Sequence, residues 1–164
     1  MSDTLLTNIG TIGVALFAGM IALYQVKLNI ISNARIKWIE GLRDTLSQYC
    51  EKIEDCSESK NRLLYEINNK EEKEHNEALD KFYNPYASSA KEVLKLQSKT
   101  FLYLNSNDEK HKQIEELLRQ NSLLLHEKHR DNGKAIHINT EKIVSIAKDV
   151  FKAEWKRSKK MFKI

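Results

Sequence analysis

Five histidines, at positions 75, 111, 126, 129 and 137, and two cysteines, Cys50 and Cys56, are the side chains best suited to holding a metal or moving a proton. His126 and His129 stand three apart with Glu127 between them. A helix-borne zinc hydrolase needs a fuller pattern, two spaced histidines with a base and a further ligand, as in His-Glu-x-x-His, and this chain offers only His-Glu-Lys-His before a turn. The cysteines stand six positions apart, which places them on different faces of one helix, too far along it for an unstrained disulfide; reduced thiols are expected. No Gly-x-x-x-x-Gly-Lys loop, Gly-x-Ser-x-Gly elbow or Gly-x-Gly-x-x-Gly fingerprint occurs, so ATP hydrolysis, triad hydrolysis and dinucleotide chemistry lack their usual starting residues. The expectation is no enzyme and no cofactor; a cryptic site on His126 and His129 stays as the third reading.

The C-terminal stretch is chemically more pointed. From Lys148 to Ile164 seven Lys or Arg face two acids, Asp149 and Glu154, and they are interleaved with Phe151, Trp155, Met161 and Phe162. Lys156, Arg157, Lys159, Lys160 and Lys163 are the candidates for anionic-lipid contact, since cations are drawn to an anionic leaflet while Trp and Phe rest at headgroup level. The bland alternative is a solvated C-terminus with Trp155 packed on the fold. Nucleic-acid binding is not expected, because the whole chain carries a net charge of only +4.

A lipid surface is implied by the other end of the chain. Leu5 to Tyr24 is twenty residues without a charge, which at 1.5 Å per residue spans about 30 Å. The basic n-region and small-residue cleavage site of a signal peptide are missing, so residues 1–25 read as a retained anchor and 26–164 as one helical cytoplasmic domain. Lys27, Arg35, Lys37 and Arg43 follow the span and no Lys or Arg precedes it, which places the N-terminus outside and the domain in the cytoplasm of a bacterial inner membrane. Thr11, Ala15 and Gly19 recur at every fourth residue, as do Ala18 and Ala22, forming ridges across which two spans can approach and self-associate. Small residues are also simply common in membrane helices.

The elements behind these residues read as all-α. The chain has one proline and five glycines, three of them (Gly10, Gly13, Gly19) inside the apolar stretch. The first cytoplasmic helix is expected to continue the span rigidly, with a coiled-coil-like 3-4 stripe of Ile39, Leu42, Leu46, Tyr49 and Ile53 thickened by Trp38 and Ile31. A break is expected at Ser57-Glu58-Ser59, then a helix ending before Pro85, with charged residues 68–81 either solvated or fraying. A third helix over 86–104 would bury Ala90, Leu94, Phe101 and Leu104. A fourth, capped within residues 105–108 and running to about Lys128, would bury Ile114, Leu117, Leu118, Leu124 and Leu125. A last helix begins at Asn139 or Thr140 and buries Ile143, Ile146, Ala147 and Val150. The architecture expected is an antiparallel bundle of four to five helices.

Residues 34–43, Ala-Arg-Ile-Lys-Trp-Ile-Glu-Gly-Leu-Arg, and the run from Ile143 through Lys156, especially residues 152–157, Lys-Ala-Glu-Trp-Lys-Arg, resemble elements of a loose class of small, uncharacterised bacterial single-pass membrane proteins. The likeness covers about a quarter of the chain and is carried by Arg35, Trp38, Arg43, Glu154, Trp155 and Arg157; Lys156 and Ser158 are less typical neighbours. It implies an accessory or effector role in mobile or antiphage loci. From the residues themselves, Glu154 is expected to pair with Arg35 or Arg43 and Trp38 to stack near Trp155, making Arg35, Trp38, Arg43, Glu154 and Trp155 a contact between helices or with a protein partner. The functional expectation is a membrane-anchored helical interaction module, homo-oligomeric and acting on the bilayer. The alternative is a scaffold that recruits a separate cytoplasmic enzyme.

Overall fold

One helix joins the apolar stretch to the rest of the chain. In the computed structural model, which describes residues 2–69, 75–127 and 131–160, α1 runs from Ser2 to Asn69, α2 from His75 to Tyr103, α3 from Glu109 to His126 and α4 from Gly133 to Lys160. No strand occurs among the described residues. At 1.5 Å per residue α1 is about 100 Å long, and its N-terminal part is long and apolar enough to cross a membrane. Leu16, Phe17 and Leu23 there are 62–72% exposed. Each such side chain gives up about 1.5–3 kcal/mol by standing in water rather than in an apolar phase.

From Ser32 onward α1 acquires partners. Ile39, Leu42, Leu46, Tyr49 and Ile53 are all buried, in a core that also takes Val93 and Leu96 of α2, Ile114, Leu118 and Leu125 of α3, and Ile136, Ile143, Ala147 and Val150 of α4. The chain doubles back at each connection. The end of α2 lies beside the upper part of α1, where the Trp38 indole donates to the Tyr103 carbonyl at 3.0 Å. The end of α4 lies beside the same part, through the Ser32 and Ser158 hydroxyls, 2.6 Å apart and buried, while His137 near its start reaches Glu54 at 3.0 Å.

Three boundaries and one buried position differ from the sequence expectation. α1 does not break at residues 57–59, because Cys56, Ser57, Lys60 and Leu63 continue the buried face at helical spacing. α2 passes through Pro85 instead of ending before it; Pro85 and Lys81, the residue four positions back whose carbonyl loses its N–H donor, are both exposed, on the solvent side of the helix. On α2 Val93, Leu96, Gln97 and Thr100 are buried, and the expected Ala90, Phe101 and Leu104 pack against the core partly covered, whereas Leu94 is 43% exposed and Val93 beside it is buried instead. α4 starts six residues before Asn139, where the Asp131 carboxylate accepts from the Gly133 N–H at 2.9 Å. Thr140 then returns its hydroxyl to the Ile136 carbonyl inside the helix. The α3 cap sits within 105–108 as expected: Asp108 accepts from the N–H groups of Lys110 and His111.

Candidate functional site

Two clusters meet where α1 leaves the core for the apolar stretch. In the first, Arg35 Nε lies 3.1 Å from Glu154 Oε2, with Glu154 only 17% exposed, and Arg157 pairs with the other carboxylate oxygen. One shielded carboxylate thus holds two guanidinium groups, one turn below the buried Ser32–Ser158 contact. Such a pair is worth more than a solvated surface bridge because its partners are partly desolvated and preordered.

In the second, the Trp38 ring stacks on His111 with centroids 5.7 Å apart, while His111 Nδ1 accepts the Asn105 N–H at 2.8 Å. Tyr103 closes over Gly41: a Cβ added there would stand 2.6 Å from the Tyr103 hydroxyl. Glycine in mid-helix costs about 1 kcal/mol relative to alanine, and here that cost admits a ring against the backbone.

The expected contact residues therefore divide. Arg35 takes Glu154, and Arg43 does not; the Arg43 guanidinium lies over the Phe151 ring, 5.4 Å from its centroid. Trp38 stacks on His111 of α3, not on Trp155, which faces the other side of α1 beneath Lys159. Trp155 instead closes one end of a groove of about 770 Å³ between α1 and α4, floored by Ile36, Ile39, Leu46, Ala147 and Phe151.

Thr11, Ala15, Ala18, Gly19 and Ala22 all stand on the exposed stretch of α1, and a Cβ added at Gly19 would meet nothing within 4 Å. Lys156, Arg157 and Lys159 are exposed around Ser158, level with Ser32 and so eight residues, about 12 Å, below Tyr24. Lys160 is the last residue of α4, and Lys163 lies outside the described residues.

Among the described residues no three His, Cys, Asp or Glu side chains gather as a metal site. His126 is exposed at the end of α3, and His129 lies outside the described residues. Burial pushes both thiols up to about 11, with Glu54 adding to the effect at Cys50 and Asp55 at Cys56, where Lys60 opposes it, so both are protonated at neutral pH. Burial likewise holds the Tyr49 hydroxyl far above its ordinary value against the opposing influence of Asn121. Lys60, lowered by the same desolvation, donates to the Leu124 carbonyl at 3.0 Å, placing a cation at the negative end of α3.

Sequence reasoning did not single out Ser32, Gly41, Tyr103 or Ser158. Gly41 was the one legible signal, since a glycine interrupting an otherwise strong helical stripe implies a close neighbour. No family model, curated protein or solved structure matches the chain.

Proposed function

We propose that this chain is a single-pass inner-membrane protein, N-terminus outside, whose antiparallel four-helix bundle works in the cytoplasm as an interaction module and whose output is exerted on the bilayer by an oligomer of spans, as in antiphage-type effectors. The observation that carries this reading is the continuity of α1: the exposed apolar stretch and the core share one helix, and Arg35–Glu154 and Ser32–Ser158 hold α4 against it just below the span. A change in how α4 sits is then felt by the span with no hinge between. Lys156, Arg157 and Lys159 at that level, with Lys160 ending the helix, supply charge for anionic headgroups. One helix cannot enclose a pore, so the small-residue ridges at Thr11, Ala15 and Gly19 serve association of several copies.

The test is membrane potential and growth on inducing the full chain beside residues 26–164 alone. Depolarisation with the full chain only is the expected result. No depolarisation with either transfers the assignment to a scaffold holding a cytoplasmic enzyme at the membrane, a reading favoured by the open α1–α4 groove.

A further inference from the structure

The groove between α1 and α4 has the dimensions and lining of a helix seat. On α1 its lining includes the row Ile36, Ile39, Arg43, Leu46 and Cys50, with Glu40 and Ser47 beside it; the row alternates steps of three and four residues, the spacing by which one helix receives the knobs of another. The fifteen residues from Ile36 to Cys50 cover about 21 Å, or about four helical turns. The floor is apolar and its edges are incompletely covered, with Val144 38% and Trp155 45% exposed.

Charge is distributed unevenly along the two edges. Lys148 and Lys152, one turn apart, form the α4 edge, and Arg43 stands over Phe151 near the middle of the groove; Glu40 is the one acid lining it. Cations placed midway along an apolar trough do not suit an amphiphile with a single headgroup, which needs them at one end. They suit a helix whose acidic residues, also one turn apart, run along the edge of its apolar face.

We infer that this groove binds an amphipathic helix of about four turns from a protein partner, with acidic residues at i, i+4 along the edge that meets Lys148 and Lys152. The inference rests on the interaction-module reading above and names the surface and the chemistry of the partner. Apolar anchors filling the space between Trp155 and Leu46 supply the affinity, and the basic edge sets direction and rate of approach.

The test is site-specific photo-crosslinking in cells making the full chain, with p-benzoylphenylalanine at Val144 and, as control, at the exposed Leu123 on α3. The expected result is an adduct at Val144 whose partner peptide, mapped by mass spectrometry, has an apolar face bordered by acids four apart. Lys148→Glu with Lys152→Glu lowers its yield by about fivefold or more, and Lys148→Arg with Lys152→Arg retains it. An adduct with lipid or a second copy, a yield insensitive to charge reversal, or no adduct above the Leu123 control overturns the inference. Fractionation of the same cells separates the two levels: a chain that stays in the membrane without the adduct removes the partner alone, whereas a chain lost from the membrane removes the anchored module itself.

Discussion

Between Thr11 and Ile31 the side chains of α1 stand exposed, apart from a half-covered Leu28, whereas from Ile39 to Leu63 they are buried at every third or fourth position. Both halves are equally helical, so the difference lies in what surrounds the backbone. The upper half satisfies its peptide groups internally and, from Thr11 to Tyr24, carries no charge and offers a largely apolar surface all round, the kind of surface a bilayer accepts. The lower half offers one stripe to its own chain and charge to water. The glycines register the same division: Gly13 and Gly19 have open space where a side chain would be, and Gly41 has a tyrosine.

The largest effect expected from this contrast is in paired leucines. Leu42→Ala empties a fully buried site and should cost about 2–5 kcal/mol in denaturant titration of the detergent-solubilised chain. Leu16→Ala, on a residue with no covering neighbour in the chain, should leave that titration unchanged; equal losses at both sites would erase the division. Next come the glycines. Alanine ordinarily stabilises a helix by about 1 kcal/mol over glycine, and Gly19→Ala should do so or be neutral. Gly41→Ala should instead lower stability by about 1–2 kcal/mol, because the Tyr103 ring must move. Glu154→Gln should weaken the junction of the halves by about 1 kcal/mol, read most directly as faster amide exchange around Arg35.

The contrast also carries a pH dependence confined to the lower half. Cys50 and Cys56 hold their protons up to about 11 in the fold, against an ordinary 9.0. Between those values the unfolded chain has lost protons that the folded one retains, so stability falls as pH rises from 9 to 11. Replacing both with alanine should flatten that part of a thermal-melt series, and an unchanged slope would assign it to other groups.

Much of this was legible in the sequence because it depends on period and length. The uncharged run, the stripe from Ile39 to Ile53, the α3 core and the Asp108 cap follow from spacing and from backbone groups that need partners. The helix ends were less legible. Ser57 and Ser59 resemble a break only until the burial of Cys56 and Lys60 is known, and Pro85 stops a helix only where its unpaired carbonyl cannot meet water. Pairings across the fold were partly open: Glu154 with Arg35 was one of two options, while the partners of Trp38 depend on which face α3 turns toward α1, and nothing in one helix's pattern specifies that. Gln97, Thr100 and Asn121, all buried, are invisible to any reading that seeks the core among apolar residues.

The unbroken passage of α1 from Met20 to Glu40, with neither glycine nor proline, makes the angular phase of the molecule a fixed quantity. Each residue turns the helix by about 100°, so the azimuth at which Thr11, Ala15 and Gly19 face outward is set by the azimuth at which Ile39 and Leu42 enter the core. Two alanines inserted after Leu28 would rotate one relative to the other by about 200° without changing any contact in the core or any residue of the span. An assembly of spans built on that ridge would then have to turn every core nearly to its opposite side.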